Sequence, residues 1–150
     1  MQLKTFKNRH AQLAALSQQQ MMAPLADRLR AKEAKKNGLV ILSAVYGRTN
    51  AVGLPEKVKA CEGAMDVTVV LQFMVKDSIL KLYAGSKQGL MGFWAMEEEE
   101  EKEKEGENEL VLYVRYSYGG KVWEVTVNDL EPLYLPAFRA MELGDVNQVE

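Results

Sequence analysis

The sequence predicts an α+β fold, a mainly antiparallel β-sandwich or partly open barrel with an N-terminal helix. Its clearest signal is the segment from Leu110 to Asp129, in which two alternating runs meet at Gly119-Gly120. Paired glycines suit the positive φ angles of a tight hairpin turn. The strand-like segments also follow one another without helices between them, which disfavours a parallel sheet. Helical spacing of apolar residues is confined to the ends of the chain.

The first predicted element is a helix over residues 2 to 35, where apolar side chains recur at helical spacing. Pro24 has no amide hydrogen to donate inside a helix, so the pattern favours two helices or one bent helix. The helix is expected to end at Asn37-Gly38, with Gly38 as the left-handed cap. Lys35 and Lys36 would complement the negative helix end.

The same N-terminal segment has a second interpretation. Its first 20 residues are basic, rich in Gln and Ala, and free of acids. This composition is typical of a mitochondrial targeting helix. An uncleaved targeting segment therefore stays open beside a helix whose apolar stripe packs on its own β-domain.

Five or six short strands are predicted after residue 38. The first, Leu39 to Tyr46, is apolar and rich in β-branched residues. The run Val67 to Val75 is predicted to be the next strand, with its odd-numbered residues on one face. A turn at residues 76 to 78 is expected to return the chain through Ile79 to Tyr83, as the hairpin partner of that strand.

The glycine-rich segment Ser86 to Trp94 is predicted to be a tightly folded loop. It would place Leu90, Phe93 and Trp94 in the core. Residues 96 to 109 are acidic and of low complexity, so we expect a solvated excursion between strands there.

The central hairpin has a predicted register. If the two glycines form the loop, Tyr116 faces Trp123 on the apolar side and Arg115 faces Glu124 on the other side. A slip of one residue would exchange the two faces, which fixes the pairing.

Two short C-terminal elements are predicted after the hairpin. Leu133 to Leu135 lies between two prolines and can form only a short edge strand. The tail beyond Ala137 is expected to form a helical turn through Met141.

Charge divides the chain into a basic N-terminal helical extension at 1–37, a β-domain at 38–137 with the acidic insertion at 96–109, and a C-terminal tail at 138–150. Residues 1 to 36 carry eight Lys or Arg against two acids, a balance of +6. Residues 97 to 109 carry nine Glu against two Lys, a balance of -7. The formal net charge of -2 argues against nucleic-acid binding.

The sequence predicts no catalytic, cofactor-binding or metal-binding residue, and therefore no enzyme. Its single histidine, His10, lies on the helix, outside the β-domain where a nucleophile would need a base. Cys61 is the single cysteine, which excludes an internal disulfide. Glycines 85, 89 and 92 lack the Gly-Lys-Ser/Thr ending of a phosphate-binding loop. No apolar run reaches the roughly 18 residues of a membrane-spanning helix.

Three sequence blocks between residues 38 and 136 are distinctive: Val-Lys-Asp-Ser at 75–78, Ser-Lys-x-Gly-Leu-x-Gly-Phe at 86–93, and Arg-Tyr-x-Tyr-x-Gly at 115–120. With the strand-like segments around them, these blocks resemble the C-terminal domain of the mitochondrial DnaJ-like subfamily C member 11 family. The chain departs from the family after residue 94, where the glutamate run replaces a short connection. It also contains no His-Pro-Asp tripeptide, so stimulation of an Hsp70 ATPase is not expected.

The resemblance implies a mitochondrial location and membership in membrane-associated assemblies. We therefore expect a non-catalytic accessory subunit of a large mitochondrial membrane complex, such as a respiratory-chain or ATP-synthase assembly. It would lie peripheral to the inner membrane, bound to other protein subunits and touching anionic lipid. The alternatives are a cristae-organising or outer-membrane scaffold factor, or a co-chaperone adaptor without a J domain. The residues expected at the partner contact are on the N-terminal helix: Phe6, Leu13, Leu25, Leu29, Lys4, Lys7, Arg28 and Arg30.

Overall fold

The computed structural model describes residues 2–48, 64–95, 110–137 and 140–146, with helix side chains from residue 9 onward. Its elements, in chain order, are α1 (Gln2–Lys35), β1 (Val40–Arg48), β2 (Ala64–Asp66), α2 (Thr68–Met74), β3 (Leu80–Leu82), a short 3-10 turn (Lys87–Gly89), β4 (Leu110–Tyr118), β5 (Lys121–Asn128), β6 (Leu133–Leu135) and β7 (Met141–Asp145). The acidic insertion at 96–109 and Cys61 lie outside the described residues.

The strands form an antiparallel sheet in the order β2-β1-β4-β5-β7 and a separate two-stranded sheet of β3 and β6. The predicted α+β class is confirmed, and the five-stranded sheet does not close into a barrel. In the central hairpin Tyr116 pairs with Trp123 and Arg115 with Glu124, so the predicted register is confirmed. Gly119 and Gly120 both have positive φ, as the two-residue turn requires.

The run Val67 to Val75 is helical from Thr68 to Met74, so the prediction of a strand there is wrong. A short apolar run fits either structure by pattern alone. The deciding contacts come from β1. Within α2 the side chain of Gln72 is fully buried and accepts the Ile41 amide at 2.8 Å, and Thr68 Oγ1 accepts the Ala44 amide at 2.9 Å. Side chains of α2 thus accept hydrogen bonds from main-chain amides at the edge of β1. Without them, a further strand would have to pair with these amides.

The partner of β3 also differs from the prediction. The turn predicted at 76–78 is confirmed, because Asp77 and Ser78 have positive φ and Lys76 bridges Ile79. Since α2 is helical, however, β3 has no strand beside it there and pairs with β6 instead. The predicted edge strand at Leu133–Leu135 is confirmed in this role.

At the C-terminal end, the helical turn predicted through Met141 is wrong. Residues Met141–Asp145 form β7, which pairs with β5 at the edge of the main sheet. An ion pair of 3.0 Å joins Lys121 to Glu142 across the two strands. The open edge of β5 supplies main-chain partners that a lone helical turn would lack.

Helix α1 is continuous from Gln2 to Lys35, so a division into two helices at Pro24 is wrong. Pro24 is exposed, and the helix is held to the protein on both sides of it. Ala15 on one side and Ala26 on the other are buried. These contacts with the rest of the fold, chiefly with α2, keep one helix where proline alone would favour a break.

The C-terminus of α1 closes in a Schellman motif with Asn37, not Gly38, in the left-handed conformation (φ 52°). The Gly38 amide donates to the Glu33 carbonyl at 2.9 Å. The prediction that Gly38 is the left-handed cap is therefore wrong. Gly38 is needed for a different reason, because a Cβ there would collide with the Glu33 carboxylate and the Ser78 hydroxyl.

The core lies between the helices and one face of the sheet. Phe93 and Trp94 are buried in it as predicted, and Leu90 packs against it half-buried. Among its largest fully buried side chains are Tyr46, Tyr116 and Lys87. Each of these three side chains carries a polar group into the buried interior.

Candidate functional site

The predicted partner-binding residues do not all lie on one surface of α1. Leu13, Leu25 and Arg28 are exposed, whereas Leu29 and Arg30 are half-buried next to the packed side of the helix. The side chains of Lys4, Phe6 and Lys7 lie outside those that the structure describes.

The exposed side of α1 carries more apolar surface than the predicted set. Met21 is 82% exposed, Leu13 58% and Leu16 41%. We refer to Leu13, Leu16, Met21, Leu25 and Arg28 as the outer face of α1. The opposite side packs inward through Ala15, Met22 and Ala26.

The glutamine-rich patch of α1 binds the protein's own loop. Gln18 Oε1 accepts the Gly92 amide at 2.7 Å, and Gln19 Nε2 donates to the Gly92 carbonyl at 2.8 Å. Gln19 also reaches the Asp66 carbonyl at 2.9 Å. A Cβ on Gly92 would collide with Val70. Glycine at this position therefore allows the glycine-rich loop to pack closely against both α1 and α2. These glutamines are therefore unavailable to an external partner.

A buried polar cluster joins three distant parts of the chain around Asp129. Asp129 Oδ1 accepts the Tyr46 hydroxyl at 2.6 Å and the Lys87 amide at 2.8 Å, and Oδ2 accepts the Ser86 hydroxyl at 2.6 Å. Phe93 packs edge-to-face on Tyr46, with ring centroids 5.0 Å apart. Burial, followed by the hydrogen bond to Asp129, raises the pKa of Tyr46 far above its ordinary value.

Lys87 completes the cluster with its ammonium group. The side chain is 1% exposed, and Nζ donates to the main-chain carbonyls of Asp129 at 2.6 Å and Glu131 at 2.8 Å, with Asn128 at 3.5 Å. Burial lowers the pKa of Lys87, and the charges of Asp129 and Glu131 oppose that shift. The Lys87 ammonium donates to the protein's own main-chain carbonyls. It therefore holds the loop in place and is buried away from any substrate.

Local sequence patterns do not predict this role for Ser86 and Lys87. The other members of the cluster, Tyr46 and Asp129, lie 41 residues upstream and 42 residues downstream of Lys87. The one available signal was the Ser-Lys pair at the head of a block that carries the family resemblance. In the structure, the first two residues of that block hold the loop to Asp129 through their hydrogen bonds.

A second buried carboxylate, Glu33, fastens the end of α1. Its Oε1 accepts the Leu39 amide at 2.9 Å, and its Oε2 lies 3.1 Å from Lys36 Nζ. Burial by itself raises the pKa of Glu33, but hydrogen bonds from Ser78, the Leu39 amide and Lys36 outweigh it and hold the pKa below its ordinary value. The carboxylate thus ties α1 to β1 and to the turn at Ser78.

An open depression of about 260 Å³ lies on the main sheet, lined by Tyr113, Glu124, Val125, Thr126 and Met141. The Tyr113 hydroxyl donates to Glu124 at 2.8 Å. Burial and this hydrogen bond raise the pKa of Tyr113. Its polar groups are the Tyr113 and Thr126 hydroxyls and the Glu124 carboxylate, and the Tyr113 hydroxyl is already bound to Glu124.

In the part of the chain that the structure describes, no three His, Cys, Asp or Glu side chains come together as a metal site. His10 is exposed on α1. None of the helices in the described ranges has the length and apolarity needed to cross a bilayer.

The fold and the cluster define a small α+β domain whose buried polar side chains serve its own architecture. A family model described as DnaJ-like protein C11, C-terminal, matches residues 2–136. The chain belongs to this family. The match begins at the start of α1, whereas the motifs that carry the resemblance in the sequence begin at residue 38.

Curated relatives agree with the family assignment. The DnaJ homolog subfamily C member 11 homolog of Dictyostelium discoideum is 36% identical over 115 residues, which cover 70% of this chain and 17% of that protein. The DnaJ homolog subfamily C member 11 of Pongo abelii is 37% identical over 120 residues, which cover 77% of this chain and 19% of that protein. This chain therefore spans less than a fifth of the relatives it matches. No solved structure matches it.

Proposed function

We propose that this chain is a non-catalytic docking domain, an accessory subunit that joins a large protein complex of the mitochondrial membranes. The observation that carries the proposal is the outer face of α1. One side of the helix is packed on the domain, while the rest of its circumference exposes Leu13, Leu16, Met21 and Leu25. They form two pairs of helical neighbours, Leu13 with Leu16 and Met21 with Leu25, and exposed apolar patches mark interaction sites.

Charge favours an acidic contact on this helix. Arg28, Lys32 and Lys35 are exposed on α1, and among the exposed helix residues from 9 to 35 the single acid is Asp27. The partner is accordingly a protein surface that is apolar at its centre and acidic at its rim, with anionic lipid as an additional contact at the same cations.

The mitochondrial assignment is supported by the family resemblance described in the sequence analysis. Within mitochondria, a respiratory-chain or ATP-synthase assembly is the preferred host, and a cristae-organising or outer-membrane scaffold is the alternative. We infer that the domain acts by binding, because the titratable groups of the buried cluster, Tyr46, Lys87 and Asp129, are hydrogen-bonded to one another and to the main chain.

The names of the relatives favour a second candidate, a co-chaperone adaptor without a J domain. The relatives are DnaJ homologs, and DnaJ proteins act with Hsp70. Because the chain contains no His-Pro-Asp tripeptide, such an adaptor would bind client proteins and leave the ATPase of mitochondrial Hsp70 at its basal rate. A several-fold stimulation by the purified chain would instead favour a full co-chaperone over the docking role.

The docking proposal is tested with exposed substitutions that leave the packed side of α1 intact. The tagged full-length chain is expressed in cells and its mitochondria are solubilised for a native gel. We expect the parent chain to co-migrate with a large complex and a Met21→Glu, Leu25→Glu double variant to migrate alone. Met91→Glu, at another exposed apolar residue, serves as the matched control and should co-migrate. Co-migration of the double variant, or migration of the parent chain alone, would overturn the proposal.

A further inference from the structure

The two-stranded sheet exposes a second apolar surface, distinct from α1. In β3, Leu80 and Leu82 are buried and Lys81 points outward. The register places Lys81 opposite Tyr134, and Ile79 and Tyr83 lie two residues away on the same face. The Gly85 amide donates to the Leu130 carbonyl at 3.0 Å, so the main chain at Leu130 lies next to the segment that follows β3.

We define the β3–β6 patch as Ile79, Lys81, Tyr83, Leu130 and Tyr134. Tyr83 is 73% exposed, Leu130 68%, Tyr134 49% and Ile79 47%. Aromatic and large aliphatic side chains are the residues that fill the centres of protein interfaces. While they are exposed, their apolar area remains in contact with water, and covering that area with a partner would be favourable in free energy.

The backbone under this patch is held rigidly. Leu130 stands between Asp129 and Glu131, whose carbonyls both accept Lys87 Nζ. The carboxylate of Asp129 is in turn bound by Tyr46 and Ser86. An exposed apolar side chain on a fixed backbone loses little conformational entropy when it is covered, which favours binding. The buried cluster thus presents Leu130 as a preorganised contact.

The charge of the patch indicates what covers it. Lys81 is exposed at its centre, while Lys76 and Asp77 at the adjoining turn offset each other. A two-fold axis through the centre would bring Lys81 against Lys81 of a second copy, and this like-charge contact disfavours self-association. The complementary surface is apolar and carries a carboxylate opposite Lys81.

We infer that the β3–β6 patch is a binding site for a segment of another protein in which an Asp or Glu is flanked by large apolar residues. The segment's carboxylate pairs with Lys81, and its apolar residues cover Tyr83, Tyr134 and Leu130. This site is separate from the outer face of α1, and neither proposal depends on the other.

The test is selection from a displayed random-peptide library on the immobilised full-length chain, with a Leu130→Ser variant for counter-selection. We expect the retained peptides to share an acidic residue between large apolar ones. Selection on Lys81→Glu should replace that acid by Lys or Arg. A retained peptide should bind Lys81→Glu about tenfold more weakly, and exchanging its acid for Lys should restore binding.

Met91→Ser is the matched control, since Met91 is 61% exposed and lies outside the patch. It should retain the parent affinity, and variants of the outer face of α1 should do the same. Equal thermal unfolding of parent and variants would show that the fold is intact. The inference is overturned if no shared motif emerges, or if the charged residue of the motif keeps its sign in the selection on Lys81→Glu. It is also overturned if vesicles of anionic lipid compete with the peptide for the patch, or if sedimentation shows a dimer that Leu130→Ser dissociates.

Discussion

Lys87 and Asp129 hold each other through both main chain and side chain. The ammonium of Lys87 donates to the carbonyl of Asp129 at 2.6 Å, and the carboxylate of Asp129 accepts the amide of Lys87 at 2.8 Å. This reciprocal pair lies at the meeting point of β1, the glycine-rich loop and the end of β5. It therefore ties the glycine-rich loop to the end of β5.

Replacing Asp129 should destabilise the domain strongly. In Asp129→Asn, the charge that accepts the Tyr46 and Ser86 hydroxyls and the Lys87 amide is lost, and a buried ammonium remains. We expect a loss of about 3 kcal/mol in the free energy of unfolding, measured by urea denaturation. The exposed Asp145→Asn is the control and should change it by less than about 0.5 kcal/mol. Equal costs for the two variants would contradict the role of the cluster.

The buried tyrosines predict a loss of stability at alkaline pH. The pKa values of Tyr46, Tyr113 and Tyr116 are raised, chiefly by burial. A raised folded-state pKa contributes stability that is complete below the unfolded value of about 10 and disappears as pH rises toward the folded value. Lys87, whose pKa burial lowers, acts in the opposite sense. Three tyrosines against one lysine should make the free energy of unfolding fall above about pH 10.

Tyr46→Phe isolates one contributor to that fall. The slope of the free energy of unfolding against pH should become shallower by about 1.4 kcal/mol per pH unit, the value of one proton. Chemical denaturation at several alkaline pH values measures it. The absolute stability at neutral pH should also drop by about 1 kcal/mol, because Asp129 loses one donor. An unchanged slope would mean that Tyr46 ionises as readily in the folded protein as in the unfolded chain.

Gln72→Leu should be destabilising even though it makes the core more apolar. The Gln72 side chain accepts the Ile41 amide at 2.8 Å and donates to the Leu39 carbonyl at 3.3 Å. Leucine leaves both buried main-chain groups without a partner, which should cost about 3 kcal/mol. Gln88→Leu, at an exposed residue, is the matched control. If Gln72→Leu raised the midpoint of thermal unfolding, α2 would not be capping the edge of β1.

Gly38→Ala and Gly89→Ala should separate steric crowding from backbone freedom. A Cβ at Gly38 collides with Glu33 and Ser78, whereas one at Gly89 meets no atom within 4 Å. We expect Gly38→Ala to cost about 1 to 3 kcal/mol, because the Glu33 network must shift. Gly89→Ala should be neutral or slightly stabilising, since alanine restricts the unfolded chain. Similar denaturation midpoints for the two variants would exclude the crowding at Gly38.

The central hairpin was predictable in detail because its determinants are local. Alternation along two strands and two glycines between them specify both the turn and the pairing of Tyr116 with Trp123. The helix at 2–35 and the turn at Asp77-Ser78 were predictable on the same grounds. Such signals depend on neighbours in sequence, which the chain itself provides.

The elements that the sequence mispredicted depend on partners far along the chain. Val67 to Val75 has the composition of a strand, but Gln72 satisfies the edge of β1 only from a helix. Met141 to Asp145 extends because β5 offers it a free edge. The sequence alone thus determined the class, the hairpin register and the helical character of residues 2 to 35, whereas contacts with the rest of the fold keep α1 continuous through Pro24. Only the tertiary structure decided that the α2 segment is a helix and that Lys87 is buried against Asp129. It also decided which faces of α1 and of the β3–β6 sheet remain exposed to solvent. The physical reason is that a buried polar group or an unpaired strand edge must find a hydrogen-bond partner, and that partner is chosen by three-dimensional proximity rather than by distance along the chain.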